Sequence, residues 1–211
     1  MRTSAPIERL VDVLEGASRL DPPARGLSPL ANALAGDRQG AVLRGEWLGH
    51  ALHPLLTDFP LGCWIAAGLL DLGGSRSGRR AAQRLVGLGL VFVPVTAAAG
   101  LVDWAEVRDD DRVRRLGVAH ALGNTVVAGA YLMSWRARRR GHHARGVVWA
   151  LGGGGLAWVT GYLGGHLSFG RGVGVGQRGE RTPRAIEAGT TPDPAAQEPT
   201  GDAIRDVHQA S

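Results

Sequence analysis

Three histidines in three separate apolar stretches, His53, His120 and His166, are the side chains of this sequence best suited to chemistry. Imidazole is the commonest metal ligand and the group that titrates nearest neutrality. Each of the three stands near one end of a run long enough to cross a bilayer. Asp58 and Asn124 lie about one turn deeper than His53 and His120, and Asp103 closes a fourth run. Ionisable groups within an apolar layer are costly and face the interior of a bundle. The set suits axial ligation of haem b, which needs one or two imidazoles and small residues beside a flat macrocycle. Gly62, Gly123, Gly164 and Gly165 offer that room. With Asp58 or Asp103 the same imidazoles suit a bound metal of unspecified identity; with no metal they suit a proton path. For any one histidine a hydrogen bond at a helix end is the simpler role, and three together make a cofactor as good an explanation. His142 and His143, amid arginines, read as solvated; His50 is undecided, and His208 belongs to the C-terminal tail.

The elements that must position these groups are four apolar runs, 54–72, 85–102, 116–135 and 147–167. The first rises roughly 28 Å as a helix, about the thickness of a hydrocarbon core. Pro54 suits a first helical turn, whereas Pro60 and Pro94 lie inside their runs and predict kinks. Four similar spans with short connections predict an all-α integral membrane protein, a four-helix up-down-up-down bundle. A soluble bundle would need polar outer faces, which these runs lack. In the membrane bundle the ends marked by His53, Asp103, His120 and His166 share one side.

Flanking segments divide the chain into 1–46, 47–170 and 171–211. In the first, Ile7, Leu10, Val11, Leu14 and Ala17 share a helical face opposite Glu8, Arg9, Asp12 and Glu15. This amphipathic helix is predicted to end before Asp21-Pro22-Pro23, with a second short helix over Leu27 to Ala35. No long apolar core follows the start, so no signal peptide is expected. Residues 171–211 are rich in Gly, Pro, Thr and charge, a composition that predicts a disordered tail.

All 24 basic residues are arginine, the sequence pI is about 10.8 and mean hydropathy is −0.04. That average hides the spans, because the charges collect in loops and tails. The basic balance does not indicate nucleic acid, since aromatic interleaving for base stacking is missing. The loops after spans one and three are basic, which places them in the cytoplasm and both termini outside. The single cysteine, Cys63, leaves no intrachain disulfide, Cys-based zinc site or cysteine-ligated iron–sulfur cluster. Abundant Ala, Gly and Arg suggest a bacterial genome of high GC content, hence an inner (cell) membrane.

The segment GEWLGHALHPLLTDFPLGCWIAAGLLDL, with AHALGN in span three and GYLGGHLSFGRGVGV after span four, resembles the DUF2231 family of bacterial membrane proteins over about residues 26–176. The family typically reads GHPLHP at the first motif; here Ala51 replaces the first proline, and His53-Pro54 is intact. The resemblance implies a four-span membrane protein, and its matched histidines, His53, His120 and His166, make haem a common suspicion. Many relatives continue into a Rieske domain, which needs paired Cys-x-His motifs. With no cysteine after Cys63, none is expected within these 211 residues.

The functional expectation is a haem b-binding, electron-transfer membrane subunit serving a separate redox protein, with Asp58, Asp103 and Asn124 as supporting groups. The alternative is a non-haem membrane component: a small transporter, proton path or assembly factor whose histidines are structural. An enzyme is least favoured, because no nucleophile–base pair is legible. The Gly161/Gly165 pair is compatible with close helix packing, including a homo-oligomer.

Overall fold

The computed structural model describes residues 6–174, and every regular element among them is helical. The helices are α1 (Pro6–Gly16), α2 (Asp21–Ala35), α3 (Asp37–Arg44), α4 (Leu52–Leu72), α5 (Arg76–Ala105), α6 (Asp111–Arg139) and α7 (His143–Gly165), followed by a π turn (His166–Gly170). Residues 1–5 and 175–211, which include most of the expected disordered tail, lie outside the described residues.

All four apolar runs are helical, and three of the helices, α4, α5 and α6, are long and apolar enough to cross a membrane. α7 has 23 residues, but its glycines dilute its apolar character. The helices outrun the predicted spans. Ser75 caps α5 by accepting from the Gly78 amide at 3.0 Å, and Asp110 caps α6 through the Val113 amide at 3.1 Å. Arg76, Arg79, Arg80, Arg84, Arg136, Arg138, Arg139 and Arg145, which the predicted spans leave in loops, therefore sit on helical turns. The 30 residues of α5 rise about 45 Å, more than a hydrocarbon core, so its arginine-bearing end stands beyond it.

Contacts between the long helices run end to matching end. His53 near the start of α4 meets Thr96 late in α5, whereas Trp64 deeper in α4 donates to Val86 O at 3.4 Å, earlier in α5. The central layer is the stack of Trp64 on Tyr131, ring centres 3.8 Å apart, closed by Ala67, Ala82, Val86 and Val127. A second cluster joins Val11 of α1 to Val113, Leu116, Leu163 and Leu167. A third joins Ala24 and Ala31 of α2 to Trp104 and Val118.

The N-terminal segment departs from its predicted form. α1 occupies the expected residues, but Glu15, assigned to the polar face, is 1 % exposed, while Val13 is exposed. Glu15 turns inward because Arg171 Nε and Nη2 both donate to it, and a buried carboxylate persists only where such partners compensate its lost hydration. α2 starts at Asp21, six residues before the predicted Leu27, since Pro22 and Pro23 suit a first turn rather than a break. α3 was not anticipated. Arg115 grips Asp21 through Nε and Nη2 at 2.6 and 3.0 Å, tying α2 to α6.

Candidate functional site

Two of the three predicted histidines come together. His53, in the first turn of α4, and His120, inside α6, have ring centres 6.3 Å apart with planes crossing at 84°. Each is anchored the same way. His53 Nδ1 lies 2.9 Å from the Thr96 carbonyl of α5, and His120 Nδ1 lies 2.9 Å from the Thr160 carbonyl of α7. A carbonyl only accepts, so both rings carry their proton on Nδ1 and keep a lone pair on Nε2.

Glycines let the helices approach these rings. A Cβ at Gly100 would lie 2.8 Å from His53 Cε1, and one at Gly164 would lie 2.7 Å from His120 Cε1. Gly164 was among the glycines expected beside a cofactor; Gly100 was not. Gly62 and Gly165 have nothing within 4 Å of an added Cβ, and Gly123 packs on Thr160 instead.

Asn124 sits one turn below His120, as its spacing implied. Its Nδ2 donates to His120 Nε2 at 3.0 Å, and its Oδ1 accepts from the Thr160 hydroxyl at 2.8 Å. His120, Asn124 and Thr160 thus close a hydrogen-bonded ring. The corresponding turn below His53 holds Thr57, whose hydroxyl donates to the His53 backbone carbonyl at 2.9 Å and not to the ring.

The other predicted groups go elsewhere. His166 opens the π turn, with Nε2 3.8 Å from Glu15 Oε1, and lines a cavity of about 310 Å³ with Glu8, Val11, Asp12 and Tyr162. Asp58 is exposed on the outer side of α4, not turned into the bundle, because Trp64 and Ala67 direct the opposite face inward. Asp103 is buried at the end of α5 against the chain following the π turn, where a Cβ at Gly174 would lie 2.8 Å from Oδ2. Among the described residues no three His, Cys, Asp or Glu side chains converge as a metal site, so the grouping of imidazoles with Asp58 or Asp103 is not formed.

A second polar centre escaped the sequence reading. At the opposite end of α4 and α6, both Nη atoms of Arg138 donate to Asp71, at 2.8 and 2.6 Å, with Arg138 Nε on the Ser134 hydroxyl at 3.1 Å. His143, read as solvated, stands with its Nε2 3.5 Å from Asp71 Oδ1. Arg138 was hidden in a run of basic residues; the signal that separates it from Arg136, Arg139 and Arg140 is its helical phase, two turns beyond Tyr131.

A family model described as "Predicted membrane protein (DUF2231)" matches residues 49–177, which include both imidazoles and the ion pair. No curated protein and no solved structure matches the chain.

Proposed function

The chain belongs to the DUF2231 family of predicted membrane proteins, and from that premise we propose a four-span, up-down-up-down membrane subunit that holds haem b between His53 and His120 and exchanges electrons with a separate redox protein. The pairing of the two imidazoles carries this reading. The ring centres lie 6.3 Å apart with planes crossing at 84°, close enough for both imidazoles to hold one group bound between them. A hydrogen bond from the far ring nitrogen to a carbonyl is also the habitual second bond of a metal-bound histidine, fixing its tautomer and angle.

Haem bound there would supply a reversible one-electron couple. The chain's own residues do the rest. His53 and His120 would hold the haem through Nε2; the Thr96 and Thr160 carbonyls orient the rings, and Gly100 and Gly164 keep α5 and α7 close. Asn124, whose amide donates to His120 Nε2 in this structure, would have to give up that bond for Nε2 to hold the group. His166, beside Glu15, stands outside the pair.

Exposed Arg76, Arg79, Arg80, Arg84, Arg139 and Arg140 gather at the end remote from the imidazoles. Positive charge is retained in the cytoplasm, so the histidine pair faces the outer side of a bacterial inner membrane. A reporter active only outside the cytoplasm then works when fused at Ser211 and fails at Arg79.

The decisive experiment is the visible spectrum of the detergent-purified protein, oxidised and dithionite-reduced. His53→Ala and His120→Ala each abolish the haem bands while the protein still inserts; His166→Ala retains them. A wild type with neither haem nor metal ends this reading. The hydrogen bond from Asn124 to His120 Nε2 favours the second one, a non-haem transporter, proton path or assembly factor in which His120 is structural. His120→Ala then lowers stability with no change in absorbance.

A further inference from the structure

Side chains that meet across the line between α4 and α6 share one spacing. His53 faces His120, Trp64 stacks on Tyr131, and Asp71 binds Arg138, and the members of each pair are 67 residues apart. These contacts fall at the start, middle and end of α4 and follow in the same order along α6. The helices are therefore parallel, and each of these residues touches its own counterpart, which is the mark of a two-fold axis. Burial follows the same rule: Pro60, Trp64 and Ala67 of α4 are buried, and so are Val127, Tyr131 and Ser134 of α6.

α5 and α7 correspond at an offset of 64 residues, Thr96 to Thr160 and Gly100 to Gly164. Counterparts perform the same task in their own hairpin. The Thr96 and Thr160 carbonyls each accept from an imidazole, and Gly100 and Gly164 each abut that imidazole. Gly89 lies against Trp64 as Gly153 lies against Tyr131.

We infer that α4–α5 and α6–α7 are two copies of one helical hairpin, and that the seam face of each is an interface made for the other copy. The inference is independent of any cofactor. At the foot of the seam the copies differ in the one respect that decides pairing, a carboxylate in the first and a guanidinium in the second. Two first hairpins would bury Asp against Asp, and two second hairpins Arg against Arg. Unlike copies alone neutralise each other, so charge selects the partner.

The test exchanges the seam between hairpins in the full chain. Residues 64 and 131, 67 and 134, and 71 and 138 are interchanged, together with 82 and 146, because a Cβ at Gly146 would meet the Arg138 stem. If the hairpins are equivalent, this eight-residue exchange rebuilds the aromatic stack and the ion pair and keeps at least half of the wild-type yield of monodisperse, detergent-purified protein. The α4 half alone (Trp64→Tyr, Ala67→Ser, Asp71→Arg) sets arginine against arginine and drops that yield more than tenfold. The charge exchange Asp71→Arg with Arg138→Asp is the control. Recovery in the control with collapse of the full exchange reduces the seam to a single ion pair and overturns the inference, as does collapse of both.

Discussion

Arg138 clasps Asp71 with both terminal nitrogens of its guanidinium, at a site where the two side chains are only 1 % and 7 % exposed. Breaking such a pair from one side leaves a buried charge uncompensated, which costs about 3–5 kcal/mol. Asp71→Leu and Arg138→Leu are each expected to lose that much in unfolding of the detergent-solubilised protein. The double leucine variant removes both charges and recovers most of the loss. A double variant no better than either single one would mean that the pair is not desolvated.

Asn124→Ala removes the amide that serves His120 Nε2 and the Thr160 hydroxyl together. The Thr160 hydroxyl keeps the Ala157 carbonyl as acceptor, so the loss falls on His120 Nε2, and a buried polar atom without a partner costs about 1–3 kcal/mol. Thermal unfolding should register that loss, and Asn124→Asp should not restore it, because a carboxylate cannot donate to Nε2. Equal stability of the alanine variant and wild type would place the ring of hydrogen bonds outside the folded core.

The outward direction of Asp58 sets an expectation for substitution there. A carboxyl facing the bundle interior would accept Asn more readily than Leu. On the outer side of α4, with no ion pair among the described residues, Asp58→Leu should accumulate as well as Asp58→Asn. Membrane-fraction yields of the two variants decide it, and failure of the leucine variant alone would require a partner on that outer face.

Docking of α2 on α6 should weaken in acid. The Arg115 guanidinium beside Asp21 holds that carboxyl below its ordinary value of 3.8. A depressed folded pKa contributes stability that is complete above the unfolded value and is lost as pH falls through the folded one. Between neutrality and pH 5 the contact is unchanged; below about pH 4 proteolysis of the N-terminal segment should accelerate. Asp21→Asn shows the faster cleavage already at neutral pH and loses the acid step.

Apolar runs made the long helices legible, since each acts on its own stretch of chain, whereas their true starts at the Ser75 and Asp110 caps were not read. Their rotation was not legible. A helix that is apolar on all sides offers no polar face to fix its phase, so the direction of Asp58 or the burial of Arg138 does not follow from composition. The sequence groups His53, His120 and His166 on one side of the bundle; the structure sets His53 against His120 and His166 beside Glu15, a carboxylate that amphipathic spacing assigns to water. The internal duplication is hard to read because identity survives only at scattered positions, such as His53 and His120 or Thr96 and Thr160, and at two different offsets. Only a comparison of the chain with itself at 67 residues sets Trp64 beside Tyr131 and Ala67 beside Ser134.

The ion pair also orders events in time. Asp71 is synthesised 67 residues before Arg138, which at about 5–20 residues per second is an interval of several seconds. Through that interval the first hairpin enters the membrane with a carboxyl whose counter-charge does not yet exist. The first hairpin is thus complete before the guanidinium that neutralises it, and the seam closes at its charged end only when the second copy has been made.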